Sequence, residues 1–239
     1  MRNGQPVREK STKKKAAPVK GGKTAPAKPR TASPRSNAPT TANGAATNAN
    51  KTRQRILDVA TQEFSAKGYD GARIDDIMRL SKVSKNLIYH YFGSKRGLIE
   101  SLFEETVEQL LVALRQLRHP HPAVYQVIEA VVDVYFTFIR SKPAFYRLQL
   151  ALYFAPQESE GYKAAGKYYV IQRALVIEIL QAGQLALGRS AGEWQATTLI
   201  GLINCCASAY LNGEIKLTAK IRKDLTRQFL YGVTGKDQE

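Results

Sequence analysis

The side chains whose types and order best suit a defined chemistry are Ser84-Lys85-Asn86, followed at once by Leu87, Ile88, Tyr89, His90, Tyr91 and Phe92. Lysine can donate to the O6/N7 edge of guanine and asparagine can pair with N6/N7 of adenine, so Lys85 and Asn86 are competent to read base edges. That chemistry needs a short helix narrow enough for the major groove, polar at its N-terminal turn and apolar behind. Leu87, Ile88 and Phe92 supply the apolar side, and the Ser84 hydroxyl suits an N-cap. Catalytic chemistry has no comparable footing. The sequence has no phosphate-binding Gly loop, nucleophile elbow, His-x-x-x-His pair or paired-cysteine metal spacing, so neither an enzyme nor a cofactor is expected. His90 has no second metal ligand at helical spacing, while His119 and His121 alternate with Pro120 and Pro122 and read as a helix break.

The elements that must position this tip are helical. Ile56, Leu57, Ala60 and Phe64 recur at i, i+1, i+4 and i+8, the stripe of a first helix that Gly68 ends. Ile74, Ile77 and Met78 mark a short second helix. Val83, Leu87, Ile88 and Tyr91 mark a third that opens at Ser84, and two short helices joined in this way form a helix-turn-helix. Beyond Ser94 the pattern predicts a helix to about Leu117, then helices near 123–141, 143–154, 158–187, 191–212 and 218–232, punctuated by Pro143, Pro156, Gly188 and Asn212-Gly213. Strand signals are nearly absent. The expected fold class is therefore all-α: an N-terminal three-helix DNA-binding domain at 51–98 and a helical bundle at 99–235.

Charge points the same way. The 239 residues carry a formal +16, of which +10 lies in residues 1–50 and +6 in the remainder. Such an excess favours a polyanionic partner, nucleic acid before acidic membrane. Residues 1–50, with Lys13-Lys14-Lys15, scattered Pro and Gly and no aromatic residue, are expected to be a disordered basic tail, either a non-specific DNA-binding arm or a solubilising extension. The adjacent pair Cys205-Cys206 fits a reducing, cytoplasmic compartment. No apolar run reaches the roughly 18–20 residues of a membrane span. The charged start has no apolar core behind it, as a secretory signal requires, and Pro6, Pro18, Pro26, Pro29, Pro34 and Pro39 disfavour an amphipathic transit helix.

Taken together, Ile56-Leu57-Asp58-Val59-Ala60, Phe64, Lys67-Gly68-Tyr69, Ile74-Asp75-Asp76-Ile77, Val83-Ser84-Lys85 and Tyr89-His90-Tyr91-Phe92-Gly93-Ser94-Lys95 resemble the N-terminal domain of the tetracycline-repressor (TetR) family, over about Thr52 to Leu102. The resemblance implies a homodimer that binds double-stranded operator DNA, with DNA-binding heads on a helical ligand-binding body and repression relieved by a small-molecule effector. It also implies a recognition helix at Ser84–Tyr91, phosphate or backbone contacts from Tyr89 and Tyr91, and a phosphate-pairing Lys95. Phosphate contacts of this kind position the reading helix without reading sequence. Read as residues alone, Tyr89 and Tyr91 also suit core packing, and His90 suits the surface or the phosphate side. The sequence departs from the family pattern in several places. Lys82 replaces the usual turn Gly, at about 1 kcal/mol if the backbone is left-handed there. Met78 replaces a customary Ala, Asn86 a frequent Gly, and Arg73 the Ser or Thr that often caps the second helix. Arg73 thereby points a cation toward the expected path of the DNA backbone.

In the body, the helix at 191–212 is apolar around much of its circumference, with Trp194, Leu199, Ile203 and Tyr210, and small residues Gly201, Ala207 and Ser208. With 218–232 it resembles the family's last two helices, which form a four-helix bundle across a two-fold axis. A ligand pocket is expected inside helices four to eight, where aromatics such as Phe136, Tyr153 and Tyr169 are plentiful but suit plain core packing, and no effector residues are singled out. Arg140, Arg147 and Arg173 suit solvated faces or internal ion pairs better than an anionic ligand. The alternative to a sequence-specific regulator is a DNA-coating protein dominated by the basic tail.

Overall fold

The computed structural model describes residues 42–118, 123–182 and 189–232, which include no strand. The elements are α1 (Ala42–Gly71), α2 (Ile74–Ser81), α3 (Lys85–Phe92), α4 (Lys95–Arg115) with a 3-10 turn at Gln116–Arg118, α5 (Val124–Ser141), α6 (Pro143–Tyr153), α7 (Glu160–Ala182), α8 (Arg189–Leu211) and α9 (Ala219–Tyr231). The helices match the sequence expectation closely, with one correction at the start. Residues 42–50, expected within the tail, form the first part of α1. Ala45, Ala46 and Ala49 are strong helix formers, and a helix nucleated downstream extends into them at little cost. The rest of the expected tail, His119, His121 and the end of the 158–187 helix lie outside the described residues.

Local chemistry sets the boundaries. Gly68 adopts φ 71° and ψ 170°, which interrupts α1 where the sequence predicts its end. Lys82 sits in the left-handed region (φ 53°, ψ 45°), a conformation that favours glycine. Its N–H donates to the Arg79 carbonyl and that of Val83 to the Met78 carbonyl, a Schellman closure of α2. Arg73 leaves α2 without a side-chain cap, and Asp75 and Asp76 in the first turn complement the helix dipole instead.

Packing divides the chain into a head and a body that share one core. Ile56, Leu57, Ala60 and Phe64 of α1 bury against Ile77 of α2, Ile88 of α3 and Leu98 of α4, all at most 1 % exposed. In the body α4 packs on α7, α5 on α9 and α7 on α8, while α6 meets both α1 and α7. Polar ties cross these seams. Arg222 of α9 pairs with Glu129 at 3.1 Å and with Asp133, both on α5. The Tyr146 hydroxyl donates to Asn204 Oδ1 at 2.7 Å, and Tyr168 donates to the Glu100 carbonyl at 3.2 Å. Arg140 donates to the Leu217 carbonyl and Arg147 to the Leu211 carbonyl, so both arginines hold backbone at the ends of the last two helices.

Candidate nucleic-acid interface and body cleft

The reading tip is built by two consecutive caps. Ser84 is extended and its hydroxyl accepts from Leu87 N–H at 3.2 Å, starting α3; Ser94 does the same for Gly97 N–H at 2.9 Å, starting α4. Between them Gly93 turns at φ 71°. The turn is tight: a Cβ on Gly97 would lie 2.0 Å from the Phe92 carbonyl oxygen. Ile88 and Phe92 are buried and dock α3 on the head, with the Arg53 guanidinium 5.2 Å from the Phe92 ring centroid. Ser84, Lys85, Asn86, Tyr89 and His90 all reach the surface. One short helix thus presents a polar N-terminal turn outward over an apolar anchor, the shape the groove requires.

Several of the expected DNA-binding side chains already have partners within the chain. Lys85 Nζ is 2.8 Å from Asp75 Oδ1, and that hydrogen bond raises its pKa. The Tyr91 hydroxyl donates to the Ala49 carbonyl at 3.4 Å, which ties α3 to the part of α1 that the sequence pattern assigns to the tail. Lys95 is half-buried; its ammonium donates to the Asp70 carbonyl at 3.3 Å and lies 4.6 Å from the Tyr69 ring centroid. Burial lowers the Lys95 pKa, opposed by the Asp70 charge. Arg73 is exposed before α2. Sequence reasoning missed Gly97 and the Tyr91–Ala49 bond; the first was signalled only by Gly following Ser-Lys-Arg, and the second had no signal.

The body holds a cleft of about 1020 Å³ between α6, α7 and α8. Leu150, Tyr153, Phe154, Tyr169 and Ile200 give it apolar walls, and Arg173 stands exposed at its edge. A smaller cavity of about 240 Å³ lies where α6 meets the end of α1, lined by Tyr69, Leu152 and Gly161 among others. Ala151 and Ala155 line both. At this junction a Cβ on Gly161 would come within 2.7 Å of Leu152 Cδ2 and 3.1 Å of Tyr69 Cβ, and Arg96 of α4 pairs with Glu160 at 3.0 Å. Along α8, Trp194 is 72 % exposed, and Thr198, Gly201, Cys205 and Ser208 continue the exposed stripe at helical spacing, the last three also lining the cleft. No helix among the described residues is long and apolar enough to cross a membrane.

Comparison with known proteins locates the same head. Residues 56–102 match the family model described as bacterial regulatory proteins of the tetR family. The chain is similar to the HTH-type transcriptional repressor NicS of Pseudomonas putida, 35 % identical over 91 residues that make up 36 % of this chain and 43 % of that protein. It is similar also to the HTH-type transcriptional activator FasR of Mycolicibacterium smegmatis, 31 % identical over 96 residues, 40 % of this chain and 44 % of that one. These matches span less than half the length of either relative. A likeness of fold extends further: the Bacillus subtilis transcriptional regulator FadR, solved in complex with stearoyl-CoA, superimposes with a TM-score of 0.64 at 16 % identity over 75 % of this chain and 98 % of that one. The family match thus falls on the helices that build the head: residues 56–102 resemble the tetR family of bacterial regulatory proteins, and the chain as a whole is similar in fold to a solved transcriptional regulator.

Proposed function

We propose that the chain is a cytoplasmic, homodimeric, sequence-specific DNA-binding regulator, a repressor released from its operator by a small molecule. The observation that carries this reading is the exposed N-terminal turn of α3, with Ser84, Lys85 and Asn86 outward while Ile88 and Phe92 anchor the helix from behind. In the proposed complex α3 enters the major groove, Lys85 and Asn86 meet base edges, and Arg73, Tyr89, His90, Tyr91 and Lys95 hold the flanking backbone. The dimer forms through α8 and α9. Its support is the exposed stripe headed by Trp194, since an exposed aromatic beside small residues suits a closely approaching second helix.

Release follows from the shared wall of the two cavities. An effector in the cleft presses on Ala151 of α6 and on Ala155 just beyond its end, beside the place where Leu152 of α6, Gly161 of α7 and Tyr69 of α1 come together. A shift there rotates the head against the body, changing the spacing of the paired recognition helices and so the fit to half-sites one helical turn or a small multiple apart. The matched relatives include a repressor and an activator by name. The repressor reading rests on the family resemblance.

The test is footprinting against random and selected duplexes, using the full chain and a variant lacking residues 1–40, which leaves α1 entire. Both should protect the same palindrome. Loss of all preference over random DNA in both ends the reading and favours the tail-dominated coating protein, which draws no support from a family match lying wholly outside the tail.

A further inference from the structure

Two glutamines in the body cleft are buried with part of their hydrogen-bonding capacity unused. Gln149 of α6 and Gln172 of α7 are 6 % and 4 % exposed, and both line the cleft. Gln149 Nε2 donates to Gln172 Oε1 at 3.4 Å, a long bond, and the Tyr169 hydroxyl fixes α6 against α7 by donating to the Gln149 carbonyl at 2.9 Å. This leaves Gln149 Oε1 and Gln172 Nε2 without a partner among the described residues. Exchanging oxygen and nitrogen in both amides changes nothing in the account, for one idle acceptor and one idle donor remain. Buried amide atoms bear their full desolvation cost when unpaired, and apolar side chains of similar shape avoid it. The pair therefore waits for a complement.

The required complement is an acceptor and a donor on one uncharged group. A carboxylate offers acceptors only and sets a lone pair against the idle oxygen. The two arginines that line the cleft, Arg147 and Arg173, keep their charge but are exposed to solvent, and Arg147 also donates to the Leu211 carbonyl, so neither removes this mismatch at the buried pair. Esters, ketones and tertiary amides accept but do not donate. A primary or secondary carboxamide does both from separate atoms.

We propose that the effector of this cleft is an uncharged molecule with an apolar body and a carboxamide head seated on the Gln149–Gln172 pair. Its N–H donates to the idle oxygen, its C=O accepts from the idle N–H, and its apolar body lies along Leu150, Tyr153, Phe154 and Ile200. The inference rests on the effector-responsive reading given above.

The test is titration calorimetry of the full chain with unbranched primary amides from hexanamide to dodecanamide, each beside its N,N-dimethyl amide and its carboxylate. At least one primary amide should bind about tenfold or more tighter than both counterparts. The double variant Gln149→Leu with Gln172→Leu should lose that preference, and so should Gln172→Glu, which keeps a polar side chain but removes the donor. Equal affinity for the three heads, tighter binding of the carboxylate, binding by no primary amide, or a preference that survives both variants overturns the proposal. Operator binding is measured separately. A chain that protects a palindrome yet ignores the amide head sinks this inference alone, whereas amide preference in a chain indifferent to DNA supports it and sinks the regulator reading.

Discussion

The Lys85 ammonium lies 2.8 Å from the Asp75 carboxylate, so the first cation of the recognition helix is held by an acid on the helix before it. Both groups are exposed, so solvent screening leaves the pair little effect on stability. In the proposed complex Asp75 acts chiefly on binding, by competing with DNA for Lys85 and by placing a negative charge near phosphates. Asp75→Asn should leave the melting temperature nearly unchanged and raise operator affinity about three- to tenfold at low salt. Fluorescence anisotropy with labelled duplex checks this; unchanged affinity would mean that Lys85 does not meet DNA.

Substitutions in and around the tip should separate into two kinds. Lys85→Ala and Asn86→Ala should alter which half-sites are selected from a randomised pool, at about 1–3 kcal/mol per lost base contact. Tyr91→Ala and Lys95→Ala should weaken all sequences alike. Uniform loss from all four would place the reading positions elsewhere on α3.

Two backbone positions in the head should respond in opposite directions. Lys82→Gly relieves a left-handed residue and should stabilise by about 1 kcal/mol, raising Tm by about 2–4 °C, whereas Lys82→Ala should gain nothing. Gly97→Ala sets a methyl against the Phe92 carbonyl and should cost about 3 kcal/mol, the upper range for overpacking, with operator binding lost in parallel. Thermal unfolding followed by circular dichroism measures both.

Lys95 should couple DNA binding to proton uptake at alkaline pH. Burial lowers its pKa in the free folded chain below the ordinary 10.5. Between that lowered value and 10.5 the unfolded chain holds more protons than the native one, so its contribution to stability rises with pH through this window. A nearby phosphate favours the charged form, so binding within the window takes up a proton and weakens as pH rises. Lys95→Arg should flatten this part of the affinity profile. An identical profile in both proteins would show that Lys95 does not face phosphate.

Trp194 is the sole tryptophan and stands 72 % exposed, so its emission should report assembly directly. Dilution should shift the emission to the red as dimers part, and Trp194→Glu should raise the dissociation constant at least about a hundredfold, an effect typical of an aromatic anchor. Sedimentation that shows an undisturbed dimer in the variant would move the interface off this face of α8.

The helices and the tip are readable because their signals are local. The stripe Ile56, Leu57, Ala60 and Phe64, the cap at Ser84 and the stop at Gly68 act through neighbours three or four positions away, and each appears where periodicity and capping rules place it. Phe92, on the apolar side of the third helix by its spacing, is buried. The hidden features depend on pairs distant along the chain. Tyr91 finds Ala49, Tyr69 meets Gly161, and Gln149 faces Gln172; no periodicity brings such residues together. The start of α1 is misplaced by composition, which suggests a tail, because extension of a helix depends on the stability of the segment downstream that nucleates it.

Ala151 and Ala155 each line both cavities, and neither carries anything beyond a methyl group. In the proposed regulator a guest that reaches these positions meets backbone almost at once, because an alanine has no longer side chain to rearrange around it. On that reading the girth of the guest, more than its affinity, sets how far the neighbourhood of Tyr69 is displaced. Congeners of equal affinity but different girth should accordingly differ in how completely they empty an operator.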